Sequence, residues 1–173
     1  FLGEQVAAVL PGVDAGDLPA ELIAHGAGVV YAIEHPDLAT FVPISHKAAI
    51  AALVREHRPQ VMLFGATPMG RELGPRIAYA CDSGLTADCT KLEIGDYAKG
   101  GQDLVGILKQ TRPALGGNIM ATIMTKDSPT QMATVRPGVF KVPPRDDTRT
   151  GRVVRSTPDL SGSPGGVRIT PVE

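Results

Sequence analysis

Tryptophan is missing from this 173-residue chain, and aromatic residues of every kind make up only 4% of it. A stacking platform for single-stranded nucleic acid needs such rings, so that class of function is excluded. Cysteine is almost missing too. Cys81 and Cys89 are too few to staple a fold, and no histidine pair accompanies them at zinc-ligand spacing, so both read as small buried thiols. Neither sign of charge dominates: the formal net charge is -1, with 20% charged and 43% hydrophobic residues. That balance fits a folded globular protein and not a disordered or polyanion-binding chain. No apolar run approaches the roughly 20 residues of a membrane-spanning helix, and the first residues lack a basic, apolar and cleavable leader. The expectation is a soluble, intracellular protein of one domain with a short appendage, with no nucleic acid and no membrane insertion among its interactions. Because the chain opens on Phe1, further sequence is expected upstream.

The common catalytic signatures are lacking as well. The loop Gly65 to Arg71 has two glycines but no Gly-Lys-Ser/Thr ending, and no Gly-x-Gly-x-x-Gly follows any strand-like run. No serine stands in a nucleophile elbow, and His25, His35, His46 and His57 are scattered without ligand spacing, so each reads as a surface histidine. A self-contained hydrolase is hard to build from such a chain.

What is present is an alternation of apolar runs and helical stripes, the pattern of a parallel sheet covered by helices, hence an α/β fold. Val6 to Leu10 and Val29 to Ile33 read as strands, with a short helix from Leu18 to His25 between them. Ser45 is the expected cap of a helix carrying Ala49, Ile50, Leu53 and Val54 on one stripe and stopping at Arg58, before Pro59. Val61 to Phe64 is a third strand. It delivers the chain into a turn where Thr67 can cap a helix that starts with Pro68. Strand end meeting helix start is where α/β proteins place ligands. Leu73, Ile77 and Cys81 define that helix's buried face, while Gly74 and Pro75 in its interior predict a kink or a later start.

From Leu85 the pattern changes to closely spaced strands, Leu85 to Ile94, Val105 to Thr111, Asn118 to Thr125 and Gln131 to Arg136, implying hairpins or a mixed sheet edge. Gly95 to Asp103 reads as a polar turn. Lys141 to Glu173 reads as a linker whose only plausible strands are Gly151 to Arg155 and Val167 to Thr170.

Two arginines stand out at turns, in Thr111-Arg112-Pro113 and Val135-Arg136-Pro137, the first followed by Gly116-Gly117-Asn118. One reading makes them ion-paired surface residues and the glycines mere turns. The other makes each a rigid donor fork for phosphate, carboxylate or an anionic ring.

Four ordered motifs decide the family resemblance. They are Phe64-Gly65-Ala66-Thr67-Pro68-Met69-Gly70-Arg71-Glu72-Leu73-Gly74-Pro75-Arg76; Gly84-Leu85-Thr86-Ala87-Asp88-Cys89-Thr90; the stretch from Gln110 to Ile123; and the stretch from Gln131 to Phe140. Together they resemble the amino-terminal domain of the electron transfer flavoprotein alpha subunit, in a form closer to the FixB-like bacterial and archaeal subgroup. The resemblance covers Val6 to Phe140. It implies a three-layer Rossmann-like sandwich of the adenine nucleotide alpha hydrolase type, mostly parallel with hairpin strands in its later part. Residues 1–140 would form that domain without its first strand and helix, and 141–173 a linker and the start of an absent FAD-binding domain. Two departures are visible: Gly95 to Asp103 is longer than usual, and Leu115 stands where an aromatic residue is common.

The resemblance further implies an electron-transfer protein more than a catalyst in its own right. In that family alpha pairs with an electron transfer flavoprotein beta subunit. The heterodimer takes electrons on FAD from an acyl-CoA dehydrogenase or similar flavoenzyme, as in fatty acid beta-oxidation, and passes them to a quinone reductase; some relatives bifurcate electrons. Its place would be the cytoplasm, or the mitochondrial matrix in a eukaryote. Arg112 is the first candidate for a cationic wall beside the flavin, with Arg136, Thr67, Arg71 and Asn118 as further cofactor-binding candidates. Two rivals are a structural scaffold domain without flavin contact and a universal-stress-type nucleotide-binding domain, the latter lacking its glycine-rich phosphate loop here.

Overall fold

The computed structural model describes residues 5–99 and 101–161, so the strand expected at Val167 to Thr170 lies outside the described residues. Two compact units are present, Phe1–Ile50 with Val142–Glu173, and Ala51–Lys141.

The first unit is built on three parallel strands, β1 (Ala7–Gly12), β2 (Val29–Glu34) and β9 (Arg152–Ser156), with β2 in the centre. β2 needs no alternation because both its faces are covered: Val29, Val30, Ala32 and Ile33 are all buried. Helix α1 (Leu18–Ala24) lays Ile23 beside Val30 and Ala27, with Leu10 and Leu22 packed around them. β9 is the strand expected at Gly151 to Arg155, one residue further on. Its Val154 lies opposite Tyr31, and Arg155 pairs with Glu34.

Helix α2 (Pro43–His57) opens two residues before the expected cap, so Ser45 lies inside it. Proline at the first helical position loses no hydrogen bond, which lets the helix start there. Its end is as expected: Arg58, before Pro59, turns to φ +44°. His46 is a correction. It is only 6% exposed, its Nδ1 lies 3.0 Å from the Val42 carbonyl, and its ring meets Phe41 edge-on. Burial lowers its pKa against the opposing carbonyl contact.

In the second unit, β3 (Val61–Gly65), β8 (Gln131–Val135) and β4 (Leu85–Cys89) form a parallel sheet with β8 between the other two. β8 is therefore a central strand and no part of a hairpin. Helix α3 (Pro68–Ala80) packs across all three strands through Leu73, Gly74, Ile77 and Ala78. It starts at Pro68 and not later, with Thr67 capping the Gly70 N–H at 3.2 Å. The run Leu85 to Ile94 breaks at Thr90 into β4 and β5 (Lys91–Lys99), which belong to different sheets. β5, β6 (Gln102–Ala114) and β7 (Ile119–Ile123) make an antiparallel meander.

The polar turn expected over Gly95 to Asp103 is thus mostly strand. Gly95 borders a register shift to Tyr97, where Gly106, at φ +66°, donates its N–H to the Asp96 carboxylate, and Gly101, at φ +79°, lies in the turn between β5 and β6. The α/β class and its Rossmann-like character stand, with two parallel sheets and one antiparallel sheet.

α3 sits on the sheet only because Gly70 has no side chain: a Cβ there would lie 1.8 Å from the Gly65 carbonyl oxygen. Backbone cannot yield by that much. Gly70→Ala is therefore expected to cost about 2 kcal/mol or more, in the range of overpacking. Gly65→Ala, whose Cβ would meet only the Thr67 methyl at 3.7 Å, is expected to be nearly neutral. Urea melts of the two variants check the contrast.

Candidate functional site

Parallel strands deliver their carboxyl ends to one rim, and in the second unit that rim carries Gly65, Cys89 and Val135. Hydrogen bonding runs on past the strands: Ala66 N–H donates to the Val135 carbonyl at 2.7 Å, and Arg136 N–H to the Cys89 carbonyl at 2.9 Å. Because β8 is central, whatever follows β3, β4 and β8 is gathered here.

Asp88 is what the gathered residues share. Its carboxylate takes Arg136 two-pronged, Nε at 3.2 Å and Nη2 at 2.7 Å, and takes Arg71 Nη2 at 3.1 Å. Arg71 is pinned a second time, its Nε donating to the Ala66 carbonyl at 2.9 Å. The backbone makes this possible by a β-bulge between Thr86 and Cys89, with Asp88 at φ +61° and its N–H held by Thr134 Oγ1 at 2.8 Å. Bulges re-aim side chains, and aspartate tolerates the left-handed region better than most residues.

The Asp88 carboxyl is held below the ordinary carboxylate range, first by its hydrogen bonds from Arg136, then by the charges of Arg136, Arg71 and Arg112 acting against burial. Arg112 is thus electrostatically coupled to the same carboxylate from β6. Its Nε is buried with no hydrogen-bond partner among the described residues. Cys89 beside them is buried and its thiol is pushed up, chiefly by burial, so it stays protonated. Cys81 is only half-buried, with its thiol pushed up by the same cause.

Of the five candidates, Thr67, Arg71 and Arg136 therefore meet at one rim, and Arg112 adds its charge. Asn118 does not join them. It is exposed, after the turn Leu115–Gly117 between β6 and β7. Leu115 in that turn is 79% exposed and held at φ +46°, an unusual backbone for a bulky residue.

Asp88 lies inside one of the family motifs without a role legible in the sequence, although a carboxylate among rim arginines is a readable signal once β4 and β8 are neighbours. Both readings of the arginines stand in part. Arg136 and Arg71 are ion-paired, yet their side chains remain 44% and 54% exposed. Three guanidiniums against one carboxylate leave the rim cationic.

The electron transfer flavoprotein domain pattern matches residues 2–161. The chain is 47% identical over 161 residues to the electron transfer flavoprotein subunit alpha of Thermoanaerobacterium thermosaccharolyticum, covering 93% of this chain and 46% of that protein. It is 40% identical over 140 residues to Protein FixB of Clostridium saccharobutylicum, covering 81% and 40%. A similar 40%, over 144 residues, relates it to the lactate dehydrogenase (NAD(+),ferredoxin) subunit LctC of Acetobacterium woodii, covering 83% and 32%. This chain belongs to the electron transfer flavoprotein family, as an alpha-subunit amino-terminal domain of FixB-like type. It spans less than half the length of these relatives.

The sign of the Asp88 effect is fixed by its lowered pKa. The stabilisation is complete above the unfolded aspartate value of about 3.9 and is lost as pH falls from there through the folded value. Asp88→Asn is expected to cost about 1 kcal/mol near neutral pH, with the gap to the parent closing as both are acidified from about pH 3.9 downward. Denaturant melts across that range check it.

Proposed function

We propose that the chain is the amino-terminal part of the alpha subunit of a heterodimeric, FAD-containing electron carrier, with the Asp88 rim as a cationic surface toward the flavin. The supporting observation is Arg112: a guanidinium whose Nε is buried without a partner, coupled to a rim already rich in positive charge. With its Nε unpartnered among the described residues, such a group fits an anionic ring or phosphate. Arg112 would face the cofactor, with Arg136, Arg71 and Thr67 behind it and Asn118 on the turn after β6. FAD, when bound, supplies the ring that takes up and releases electrons. The chain's part is electrostatic: fixed guanidiniums favour added negative charge nearby and need not reorganise to do so. The main FAD-binding domain belongs to sequence outside this chain.

The partner is a beta subunit, docking on the meander's edge strand β7, where Ile119 and Ile123 are exposed on one face and Met120 on the other. Acyl-CoA dehydrogenase or a related flavoenzyme as donor and a quinone reductase as acceptor follow the family pattern. The name of the Acetobacterium relative, a ferredoxin- and NAD-linked dehydrogenase subunit, makes electron bifurcation an equal reading. No helix among the described residues is long and apolar enough to cross a membrane. The place proposed for the chain is the cytoplasm, following the family pattern.

Mixing the chain with a beta subunit and FAD, then measuring flavin absorbance retained by the complex, tests the reading. Retention that weakens roughly tenfold or more in Arg112→Ala supports it. A complex that forms and behaves identically in that variant leaves the scaffold role alone.

A further inference from the structure

Asp88 uses both carboxylate oxygens inward, on donors from two separate segments: Oδ1 on Arg71 Nη2 and Arg136 Nε, Oδ2 on Arg136 Nη2. Arg71 Nε is spent on the Ala66 carbonyl. A guanidinium carries five N–H donors over three nitrogens. After these bonds, Nη1 of Arg71 and Nη1 of Arg136 have no partner among the described residues, on side chains about half exposed. Asp88 itself is only 18% exposed, so the carboxylate sits behind the two cations it binds. The result is two guanidiniums immobilised from the back with donors left over.

We propose that Asp88 is the positioning residue of an anion-binding rim, fixing Arg71 and Arg136 as one preorganised receptor for a multi-oxygen anion, a phosphoryl or carboxylate group. The inference deepens the flavin reading and takes from it only that the arriving group is anionic; the receptor geometry stands by itself. Several observations make Asp88 the organiser and not one member among equals. Among the described residues it alone pairs with both arginines. Its own backbone is fixed in the left-handed region by the Thr134 hydroxyl, on a residue with no exposed surface. Arg136 is set by its N–H on Cys89, directly after Asp88 in the chain.

Charge and geometry predict opposite signs here, which makes the proposal sharp. Asp88→Asn removes a negative charge, so a site governed by net charge would bind anions more tightly in the variant. A site governed by preorganisation would bind them less tightly, because the amide cannot take two guanidiniums as a carboxylate does. Asparagine keeps the shape and the tolerance for positive φ, so the strand end is not disturbed.

The experiment is NMR of the arginine Nε–H signals of this chain, titrated with inorganic pyrophosphate and, separately, with citrate. The expected result is that Arg71 and Arg136 respond together on one binding curve, to either probe or both, the stronger probe naming the ligand class. Asp88→Asn should broaden both signals and weaken binding by about tenfold or more. Arg136→Lys, which keeps the charge and loses the two-pronged contact, should weaken it similarly. Unchanged or tighter binding in Asp88→Asn overturns the proposal. So does a parent chain in which Arg145, Arg149 and Arg152 respond as strongly as the rim pair. Loss of the Arg112 dependence of flavin retention with these results intact would remove the flavin reading alone.

Discussion

One carboxylate ties together three chain segments that lie far apart in sequence, and it can do so only because β8 threads between β3 and β4. The backbone makes the first links, from Ala66 to Val135 on one side and from Arg136 to Cys89 on the other. Asp88 then repeats the β4–β8 link in side chains through Arg136 and adds one the backbone lacks, reaching across to Arg71 after β3. With β3 and β4 adjacent instead, residue 136 would stand elsewhere and the cluster would have no centre. Strand order, more than any local motif, is what creates this rim.

The same insertion explains an otherwise odd strand. Gln131-Met132-Ala133-Thr134-Val135 has neither a continuous apolar run nor a clean alternation, yet its first four residues are buried. Its polar side chains work as connectors: Gln131 Oε1 accepts from the Leu108 N–H at 2.7 Å, and Thr134 Oγ1 from Asp88. A buried polar group costs about 1–3 kcal/mol when left unpaired and little when paired, so these residues specify the neighbours of β8 instead of weakening it. Against that background the unpaired buried atoms stand out. Gln110 Oε1 and Arg112 Nε belong to residues two apart on β6, and Thr90 Oγ1 to the residue whose N–H bonds Thr111 between them. Among the described residues, unmet hydrogen-bonding capacity is thus concentrated around Arg112.

This division also accounts for what could be read from sequence. β2 and β3 announce themselves as apolar runs, and the start of α3 is legible because Thr67 and Pro68 act locally, through cap and first turn. Ser45 misled because Pro43 satisfied the same local requirement two residues earlier. β8 was legible as a strand but not as a central one, since the residues that satisfy Gln131 and Thr134 lie 23 and 46 positions away. The Gly95 region failed for a related reason: a bulge lets glycines bend a hairpin without ending it. The motif arginines were visible, and their partner was not, because Asp88 faces them only by virtue of a left-handed backbone that no periodicity encodes.

Whether the arginines are ordinary ion-paired residues or a functional surface turns on magnitudes. Pairs as exposed as these contribute about 0–1 kcal/mol each. Holding a non-glycine residue in the left-handed region costs about 1–2 kcal/mol for most side chains, somewhat less for aspartate. The clamp therefore does little better than offset the strain that aims it, and glycine at position 88 would avoid that strain altogether. Stability is a poor reason for such an arrangement. Strain kept without a stabilising return is characteristic of positions where geometry itself is used, and the geometry kept here is a pair of cations anchored from behind with free donors.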